Sequence, residues 1–300
     1  MNTALFPLSD QAFVAARPRL FSIAYRMLGI RADAEDVVQD AWLRWREADQ
    51  AALASATAWL VTVTTRLAID RLRARQQERA SYTGNWLPEP LVELESDGHT
   101  PESAAEQASD VSVAILWVLE RLAPEERAAF LLRQVFDEDY PDIAATLGRS
   151  EASCRQMVHR AAERVALAQP RFEVPAERHR ELLGRFMQAA ASADRAAMKQ
   201  LLAPDVAVVA DGGGKVNSFL KILRGAGRIA GVFYWALEHA FPQRVQYRMA
   251  TINGAPGLLR YVDGKIESAQ SFDFADGQIA AVYIVRNPDK LQNLPEIHKN

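Results

Sequence analysis

The chain has 300 residues, of which 49% are hydrophobic and 24% are charged, and its formal net charge is −3 at pH 7. This composition excludes a disordered chain and fits a soluble globular protein with room for two domains. The negative balance excludes a uniformly basic nucleic-acid-binding protein, so any such role must depend on local patches. The single cysteine, Cys154, excludes internal disulfides and fits a reducing compartment.

The N-terminus and the hydropathy pattern predict a cytoplasmic protein with no membrane partner. The first 20 residues lack the basic start and the continuous apolar run of a secretory signal. No apolar stretch reaches the length of a membrane span.

The first 80 residues predict a helical domain. Segment 32–45 carries apolar residues at helical spacing, namely Ala34, Val37, Val38, Ala41 and Trp42. Segment 57–75 repeats this pattern, and from residue 66 to residue 79 five arginines outnumber two acids. The second helix therefore predicts a basic end that could contact an anionic partner.

Residues 81–110 differ sharply from the segments on either side. They contain seven acidic residues, several prolines and glycines, and no Lys or Arg. This composition predicts an acidic linker between the domain at 1–80 and a second helical domain at 111–170.

The sharpest local pattern lies at 140–165 and predicts a helix-turn-helix. Pro141 suits a first helical turn, Gly148 suits a tight turn, and Ser150 can cap the following helix. One face of that helix predicts packing and carries Cys154, Val158, Ala161, Ala162 and Val165. The opposite face is polar and basic, as a helix that reads a DNA major groove requires, and carries Ser153, Arg155, Gln156, His159 and Arg160. An ordinary helical hairpin with a solvated face remains the alternative.

The C-terminal part, residues 176–300, predicts an α+β domain. Two helices at 177–192 and 194–202 precede a strand at 206–210 and a helix at 225–240. Four strand-like runs follow, near 243–252, 257–263, 266–275 and 278–286, separated by turn signals such as "VDGK" and "ADGQ". This order predicts a curved antiparallel sheet wrapped on helices.

Segments 21–29, 32–45 and 58–75 resemble region 2 of bacterial extracytoplasmic-function sigma factors, and segment 119–161 resembles their region 4. The motifs "NWLPEPL" (85–91), "DGGGK" (211–215) and "NPDKL" (287–291) resemble those of the subgroup with a SnoaL-like C-terminal extension, the sigma-J type. The resemblance implies a multidomain protein, with an all-α N-terminal half followed by an α+β cone. Its partners would be core RNA polymerase and promoter DNA, and it would be monomeric when free.

The resemblance also implies roles for individual residues. The polymerase-binding residues would be Asp33, Glu35, Asp36, Gln39 and Asp40. The residues that contact the −10 element would be Thr57, Arg66, Asp70, Arg71, Arg73 and Arg75. The −35 element would be read by the polar face of the helix-turn-helix. Regulation between domains would involve Trp86, Leu87, Pro88, Glu89, Pro90, Asp211, Gly212, Gly213, Gly214, Lys215, Asn287, Pro288, Asp289, Lys290 and Leu291.

The stretch "DGGGKV" at 211–216 invites comparison with a phosphate-binding loop. That loop requires G-x-x-x-x-G-K followed by Ser or Thr, whereas Val216 follows Lys215 and Val209 occupies the position of the first glycine. We therefore expect the three glycines to allow close backbone approach to another part of the chain, near "WLPEPL". A tight hairpin loop without a partner is the alternative.

Two further functions for the C-terminal domain stay open. Cyclases and isomerases of the SnoaL-like class use a cavity acid or histidine, for which the candidates are Asp205, His239, Tyr261 and Asp273. A small-molecule sensor would use a pocket lined by Phe233, Tyr234, Trp235 and Phe241. We expect no catalytic residue, no cofactor and no metal site, because neither a paired acid–base spacing nor a second ligand near His159 is present.

Overall fold

The computed structural model describes residues 8–93, 112–166, 176–235 and 245–294. The chain divides into two compact units. Among the described residues, the first unit contains 8–80 and 118–166. The second unit contains 81–93, 112–117, 176–235 and 245–294.

The described part of the first unit is helical. Its elements are α1 (Leu8–Leu28), α2 (Arg31–Glu47), a short 3₁₀ turn (Gln50–Ala52), α3 (Ala56–Ala80), α5 (Pro124–Gln134), α6 (Tyr140–Leu147) and α7 (Glu151–Ala166). A short helix, α4 (Val113–Leu119), precedes α5, and its first five residues belong to the second unit. None of the described helices is both long and apolar enough to cross a membrane.

The amphipathic pattern of α2 is present in the structure. Ala34, Val37, Val38 and Ala41 are buried as predicted, and Trp45 joins them. Trp42 is half-buried and packs on Phe13 of α1, with ring centroids 4.8 Å apart. The apolar stripe of α2 therefore packs this helix into the first unit and leaves its acidic face outward.

Helices α6 and α7 form the predicted helix-turn-helix. Gly148 ends α6 with a φ of 62°, a left-handed conformation that glycine adopts without steric cost. The Ser150 hydroxyl then accepts a hydrogen bond from the backbone N–H of Ser153, at 3.3 Å, as a helix cap does. The buried stripe of α7 is the predicted one except that Ala162 is half-buried and Met157 is buried.

Besides the first five residues of α4, the described part of the second unit contains a seven-stranded sheet and four helical elements. Its strands are β1 (Val92–Glu93), β2 (Leu202–Asp211), β3 (Leu223–Arg224), β4 (Val245–Ile252), β5 (Ala255–Val262), β6 (Lys265–Ala275) and β7 (Gln278–Val285). The helical elements are α8 (Ala176–Ala191), α9 (Arg195–Leu201), α10 (Ala226–Trp235) and a 3₁₀ turn (Pro288–Lys290). The predicted helix at 225–240 is described as far as residue 235.

The sheet is mixed, which corrects the expectation of an antiparallel sheet. The strand order is β1-β4-β5-β6-β7-β2-β3, and β2 pairs with β7 in parallel, with Ala210 opposite Ile284 and Asp211 opposite Val285. The other pairs are antiparallel. β2 and β7 are far apart in sequence, so no hairpin turn forces them to run in opposite directions.

Two-residue turns fix the antiparallel hairpins. Asn253–Gly254, Asp263–Gly264 and Asp276–Gly277 connect β4 through β7, and all six residues have positive φ. Asn-Gly and Asp-Gly pairs suit the type I′ turns that match the twist of flanking strands. These turns explain why the predicted boundaries of β4 to β7 lie within two residues of the observed ones, whereas β2 begins four residues earlier than predicted.

Both faces of the sheet are covered. One face packs on α8, α9 and α10 around Phe186, which is completely buried. The other face packs on Leu87, Val113 and Leu291. Residues 81–93 therefore form part of the second unit and supply its strand β1, although their composition predicted a linker. The rest of that predicted linker, residues 94–110, lies outside the described residues.

Candidate functional site

The last residue of β2 forms a buried ion pair with the C-terminal 3₁₀ turn. The Asp211 carboxylate and the Lys290 ammonium lie 2.8 Å apart, and both side chains are almost fully buried. These residues come from "DGGGK" and "NPDKL", so the pair joins two of the three motifs inside the second unit.

The third motif region supplies further donors to the same carboxylate. The backbone N–H of Leu87 donates to Asp211 Oδ2 at 2.9 Å, and the Tyr82 hydroxyl donates to Oδ1 at 2.6 Å. The backbone N–H of Gly213 also donates to Oδ1, at 3.0 Å. Burial and the bond to Asp211 both raise the pKa of Tyr82, so its hydroxyl stays a donor. With Lys290, four donors thus replace the hydration that this buried carboxylate loses.

Lys290 is bound by the segment that carries "WLPEP". Its ammonium donates to the backbone carbonyl of Leu87 and lies 3.9 Å from the ring centroid of Trp86, a cation–π distance. Asp211, Lys290 and Leu87 thus contact one another directly. We name the residues 82–91, 211–215 and 287–291 the motif cluster.

The glycines of "DGGGK" lie against neighbouring chain segments. A side chain at Gly213, whose φ is 61°, would collide with the Asn287 amide, and one at Gly212 would come within 2.7 Å of the Val216 carbonyl oxygen. Asn287 Nδ2 donates to the Tyr82 hydroxyl at 2.9 Å. The glycine run therefore serves close approach between segments, as expected for a loop with a partner in the chain.

The edge of the motif cluster carries weaker polar contacts. Lys215 pairs with Asp289 at 2.5 Å, and both side chains are about half exposed. Asn293 Nδ2 lies 3.4 Å from Glu89 Oε1. Pro88, Glu89 and Pro90 are buried. The structure thus brings together all the residues for which the resemblance implied a regulatory role.

The acidic face of α2 divides into exposed and buried members. Glu35, Asp36, Gln39 and Asp40 are exposed, but Asp33 is buried. Asp33 forms ion pairs with Arg71, at 3.1 Å, and with Arg75. Asp33 is therefore a packing contact between α2 and α3, contrary to its expected place on an open polymerase-binding face.

The arginines expected at the −10 element contact the helix-turn-helix half of the first unit. Arg66 donates to the carbonyl oxygens of Thr146 and Ala145, each at 2.8 Å, and Arg73 pairs with Glu125 at 2.5 Å. The Glu125 bond raises the pKa of Arg73. The Thr62 and Thr146 hydroxyls lie 3.0 Å apart. The arginines thus bind protein in this arrangement, whereas Thr57 and Asp70 are exposed.

The residues expected at the −35 element lie on the outer face of α7. Arg155, Gln156, His159 and Arg160 are exposed and Ser153 is half-buried. Arg155 pairs with Glu151 at 2.7 Å, and Arg160 pairs with Glu126 at 2.9 Å. The Arg155–Glu151 pair is exposed and contributes little free energy, whereas Glu126, the partner of Arg160, is mostly buried and also binds Arg164. The outer face of α7 is thus exposed and carries two arginines held by ion pairs.

Sequence reasoning missed the contact that fixes α5 against α1. Arg127 is buried, donates to the Leu119 carbonyl at 2.8 Å and to the Met27 carbonyl, and pairs with Glu120 at 2.7 Å. A charged residue in an amphipathic helix normally indicates a solvated face, so no sequence signal marked Arg127.

The candidate catalytic residues do not converge. Asp205 is exposed, Tyr261 is buried, and His239 lies outside the described residues. Asp273 accepts a hydrogen bond from Tyr283 at 3.0 Å, and burial raises its pKa to about 6. No group of three metal-ligating side chains occurs among the described residues.

The sensor pocket differs from the expected one. Trp235 is 57% exposed, and Phe241 lies outside the described residues. Phe233 does line a cavity, together with Phe219 and residues of the sheet. Cys154 is completely buried in α7, and burial raises the pKa of its thiol, which favours a packing role over a redox role.

Comparison with known proteins identifies both halves of the first unit. A family model for sigma-70 region 2 matches residues 13–78, and a model for sigma-70 region 4 matches residues 112–165. The ECF RNA polymerase sigma factor SigJ of Mycobacterium tuberculosis is 38% identical, and the match covers 94% of this chain and 93% of that protein.

Two further matches extend over nearly the whole chain. The probable ECF RNA polymerase sigma factor SigI of Mycobacterium tuberculosis is 28% identical, with 94% of each chain covered. The crystal structure of Mycobacterium tuberculosis SigJ superposes with a TM-score of 0.78 at 34% identity, over 96% of this chain and 99% of that one. The likeness therefore includes the second unit as well as the two sigma regions.

The buried ion pair predicts a large difference between two lysines. Lys290→Met leaves the Asp211 carboxylate buried without its cation, so we expect the free energy of unfolding of the second unit to fall by about 3 kcal/mol. Lys215→Met removes an exposed pair and should cost less than about 1 kcal/mol. Urea unfolding followed by tryptophan fluorescence compares the two variants, and equal losses would contradict the assigned role of the buried pair.

The raised pKa of Asp273 predicts a pH dependence with a definite sign. The unfolded carboxyl ionises near pH 3.9 and the folded one near 6, so stability is lost as the pH rises from about 4 to about 6. Asp273→Asn should remove this loss, because asparagine carries no charge at any of these pH values. The free energy of unfolding at pH 7 should rise by about 1 to 2 kcal/mol, a range that allows for screening by the solvent that reaches part of the side chain.

The matched control is Asp276→Asn, which lies in the exposed turn after β6 and has a φ that asparagine tolerates. Urea unfolding of both variants at pH 4.5, 5.5 and 7 measures the difference. An Asp273→Asn profile parallel to that of the unchanged protein would show that this carboxyl titrates normally.

Proposed function

This chain belongs to the ECF RNA polymerase sigma factors, and from that premise we propose that its second unit controls promoter recognition by its first unit in cis. The observation that carries the proposal is the engagement of Arg66 and Arg73 with the helix-turn-helix half of the first unit. In this arrangement these arginines hydrogen-bond to protein and not to nucleic acid.

The outer face of α2 binds core RNA polymerase. Glu35, Asp36, Gln39 and Asp40 support this role, because they are exposed side by side on one helix whose other face is packed. Acidic side chains on a rigid helix complement a basic partner surface and accelerate its association.

Promoter DNA is read in two parts. The outer face of α7 contacts the −35 element, with Arg155, Gln156 and Arg160 able to reach base edges or phosphates. The basic side of α3 captures the melted −10 strand through Arg66 and Arg73. Arg71 and Arg75 remain bound to Asp33 and support α3 from behind.

The closed arrangement is inactive, and its two −10 arginines are released at modest cost. The contacts that must break to free them are the backbone acceptors of Arg66 and the ion pair of Arg73, whose side chain is about half exposed, while the buried Arg127 can keep α5 on α1. Partly exposed polar contacts contribute about 1 kcal/mol or less each, so core polymerase and DNA can shift the equilibrium with a few kcal/mol of binding energy.

The motif cluster gives the second unit control of this equilibrium. Residues 82–91 follow α3 in sequence, and they are fixed to Asp211 and Lys290 of the second unit. The residues that the motif cluster binds are no longer free to span the distance between the two sigma regions. The free length of the chain that connects these regions therefore depends on the cluster. A small molecule bound by the second unit would act through the same cluster, with no catalytic step, in a cytoplasmic protein that is monomeric when free.

Run-off transcription tests the proposed function. Core RNA polymerase and the full chain are combined on DNA from upstream of the protein's own gene, and promoter-specific RNA is expected. The charge reversals Asp36→Lys and Asp40→Lys, at exposed positions, should abolish both the RNA and the binding of polymerase. Lack of polymerase binding by the unchanged protein would contradict the proposal.

A reversible crosslink tests the closed state. The pair Thr62→Cys and Thr146→Cys, placed in a Cys154→Ala background, puts two thiols where hydroxyls lie 3.0 Å apart. Oxidation should lower run-off transcription at least tenfold, because Arg66 beside the crosslink stays bound to α6, and reductant should restore it.

Each single cysteine variant serves as the control and should transcribe equally with and without oxidant. A fully crosslinked double variant, verified by non-reducing electrophoresis, that transcribes as well as its reduced form would show that opening is not required.

A further inference from the structure

A cavity of about 80 Å³ lies in the second unit among β2, β7 and α10. Its walls are mainly apolar and include Val208, Ala210, Ile229, Val232, Phe233 and Ile284. One water needs only about 10 to 15 Å³, and an apolar cavity of about 150 Å³ holds a benzene molecule. The volume therefore suits a ligand with a short branched carbon body.

The lining of the cavity includes two side chains with polar atoms that need a partner. Gln270 on β6 is completely buried, its Nε2 donates to Ser268 Oγ at 3.2 Å, and its Oε1 has no hydrogen bond within the described residues. Ser218 Oγ is also buried and accepts or donates no hydrogen bond within that part of the chain. Buried polar groups without partners are costly, so these two groups favour a polar partner in the cavity, either a water or a ligand atom.

The amide and the hydroxyl together select the polar group of the ligand. The amide presents either its oxygen or, if turned over, its nitrogen to the cavity. A ligand hydroxyl satisfies both cases, because it donates and accepts, whereas a carboxylate only accepts. Ser218 can supply the complementary bond in either case.

The arginines at the cavity do not call for an anion. Arg260 and Arg286 line it, and both bind the carboxylate of Glu267, at 3.3 Å and 2.5 Å. Arg286 also donates to the Asn217 carbonyl. Both guanidinium groups already pair with a carboxylate, so the cavity needs no anion to balance their charge, and the ligand is selected by Gln270 and Ser218.

We infer that this cavity binds a small neutral alcohol, with its branched carbon body against the apolar walls and its hydroxyl on Gln270 and Ser218. The inference rests on the proposed control by the second unit and names the ligand class of that control. Ala210 lines the cavity and precedes Asp211, whose carbonyl oxygen accepts from the N–H groups of Arg286 and Asn287 at 2.7 and 2.9 Å. The cavity thus adjoins the motif cluster.

Ligand-observed NMR on the full chain tests the inference with three probes that share one carbon skeleton. These are isobutanol, isobutyl chloride and isobutyrate. Isobutanol should show saturable binding in the millimolar range, and the other two should bind at least fivefold more weakly. Gln270→Met should weaken isobutanol at least fivefold without weakening isobutyl chloride, whereas Gln246→Met, at an exposed position of β4, should change neither.

Three outcomes would overturn the inference. The first is that no probe binds, so that the cavity holds only water. The second is that the Gln270→Met variant binds isobutanol as well as the unchanged protein does, and the third is that isobutyrate binds more tightly than isobutanol. If Gln270→Met fails to fold by circular dichroism, Ser218→Ala takes its place with the same expected loss. Run-off transcription by the unchanged protein distinguishes failure of this inference from failure of the proposed function. If the protein directs RNA synthesis but binds no alcohol, only the assignment of the cavity is rejected.

Discussion

The buried pair of Asp211 and Lys290 is the constraint on which the arrangement of the second unit depends. Two charges taken out of water cost several kcal/mol each unless donors and acceptors replace the lost hydration. Here the replacements come from Tyr82, Leu87 and Gly213, in segments more than 120 residues apart. Because no one segment satisfies the pair, "WLPEP", "DGGGK" and "NPDKL" must assemble together. The pair therefore selects one arrangement of the chain more than it adds stability.

The first unit follows the opposite principle. The contacts of its −10 arginines with region 4, through Arg66, Arg73 and the neighbouring Thr62–Thr146 contact, are partly exposed and individually weak. Such contacts can be exchanged for polymerase and DNA without a large penalty. Arg127 marks the limit of this exchange, because it is buried and its removal would take a donor from the Leu119 and Met27 carbonyls and the cation from Glu120. A rigid cluster in one unit and a releasable interface in the other are what control by a small free energy requires.

Local patterns predicted much of this structure, and the failures have a common cause. The stripe of α2, the helix-turn-helix and the hairpin turns follow from spacing and glycine placement, and the resemblance named the motif residues. The parallel pairing of β2 with β7 and the burial of Asp33 did not follow, because each depends on partners distant in sequence. Residues 81–93 were misread for the same reason. Acidic, proline-rich composition indicates a linker unless a partner elsewhere buries it.

Strand alternation connects the cavity to the motif cluster. Successive side chains of a strand point to opposite faces, so Val208 and Ala210 lie on the helix-covered face of β2, whereas Val209 and Asp211 lie on the other. β7 alternates in register, with Ile284 on the first face and Val285 on the second. A ligand that changes the distance between the C-terminal ends of β2 and β7 must therefore move the Asp211 carbonyl. It must also move Arg286 and Asn287, which follow β7 and donate their backbone N–H groups to that carbonyl. That displacement would also move the Asp211 carboxylate. Because this carboxylate accepts hydrogen bonds from Tyr82 and Leu87, its movement would change the position of residues 82–91.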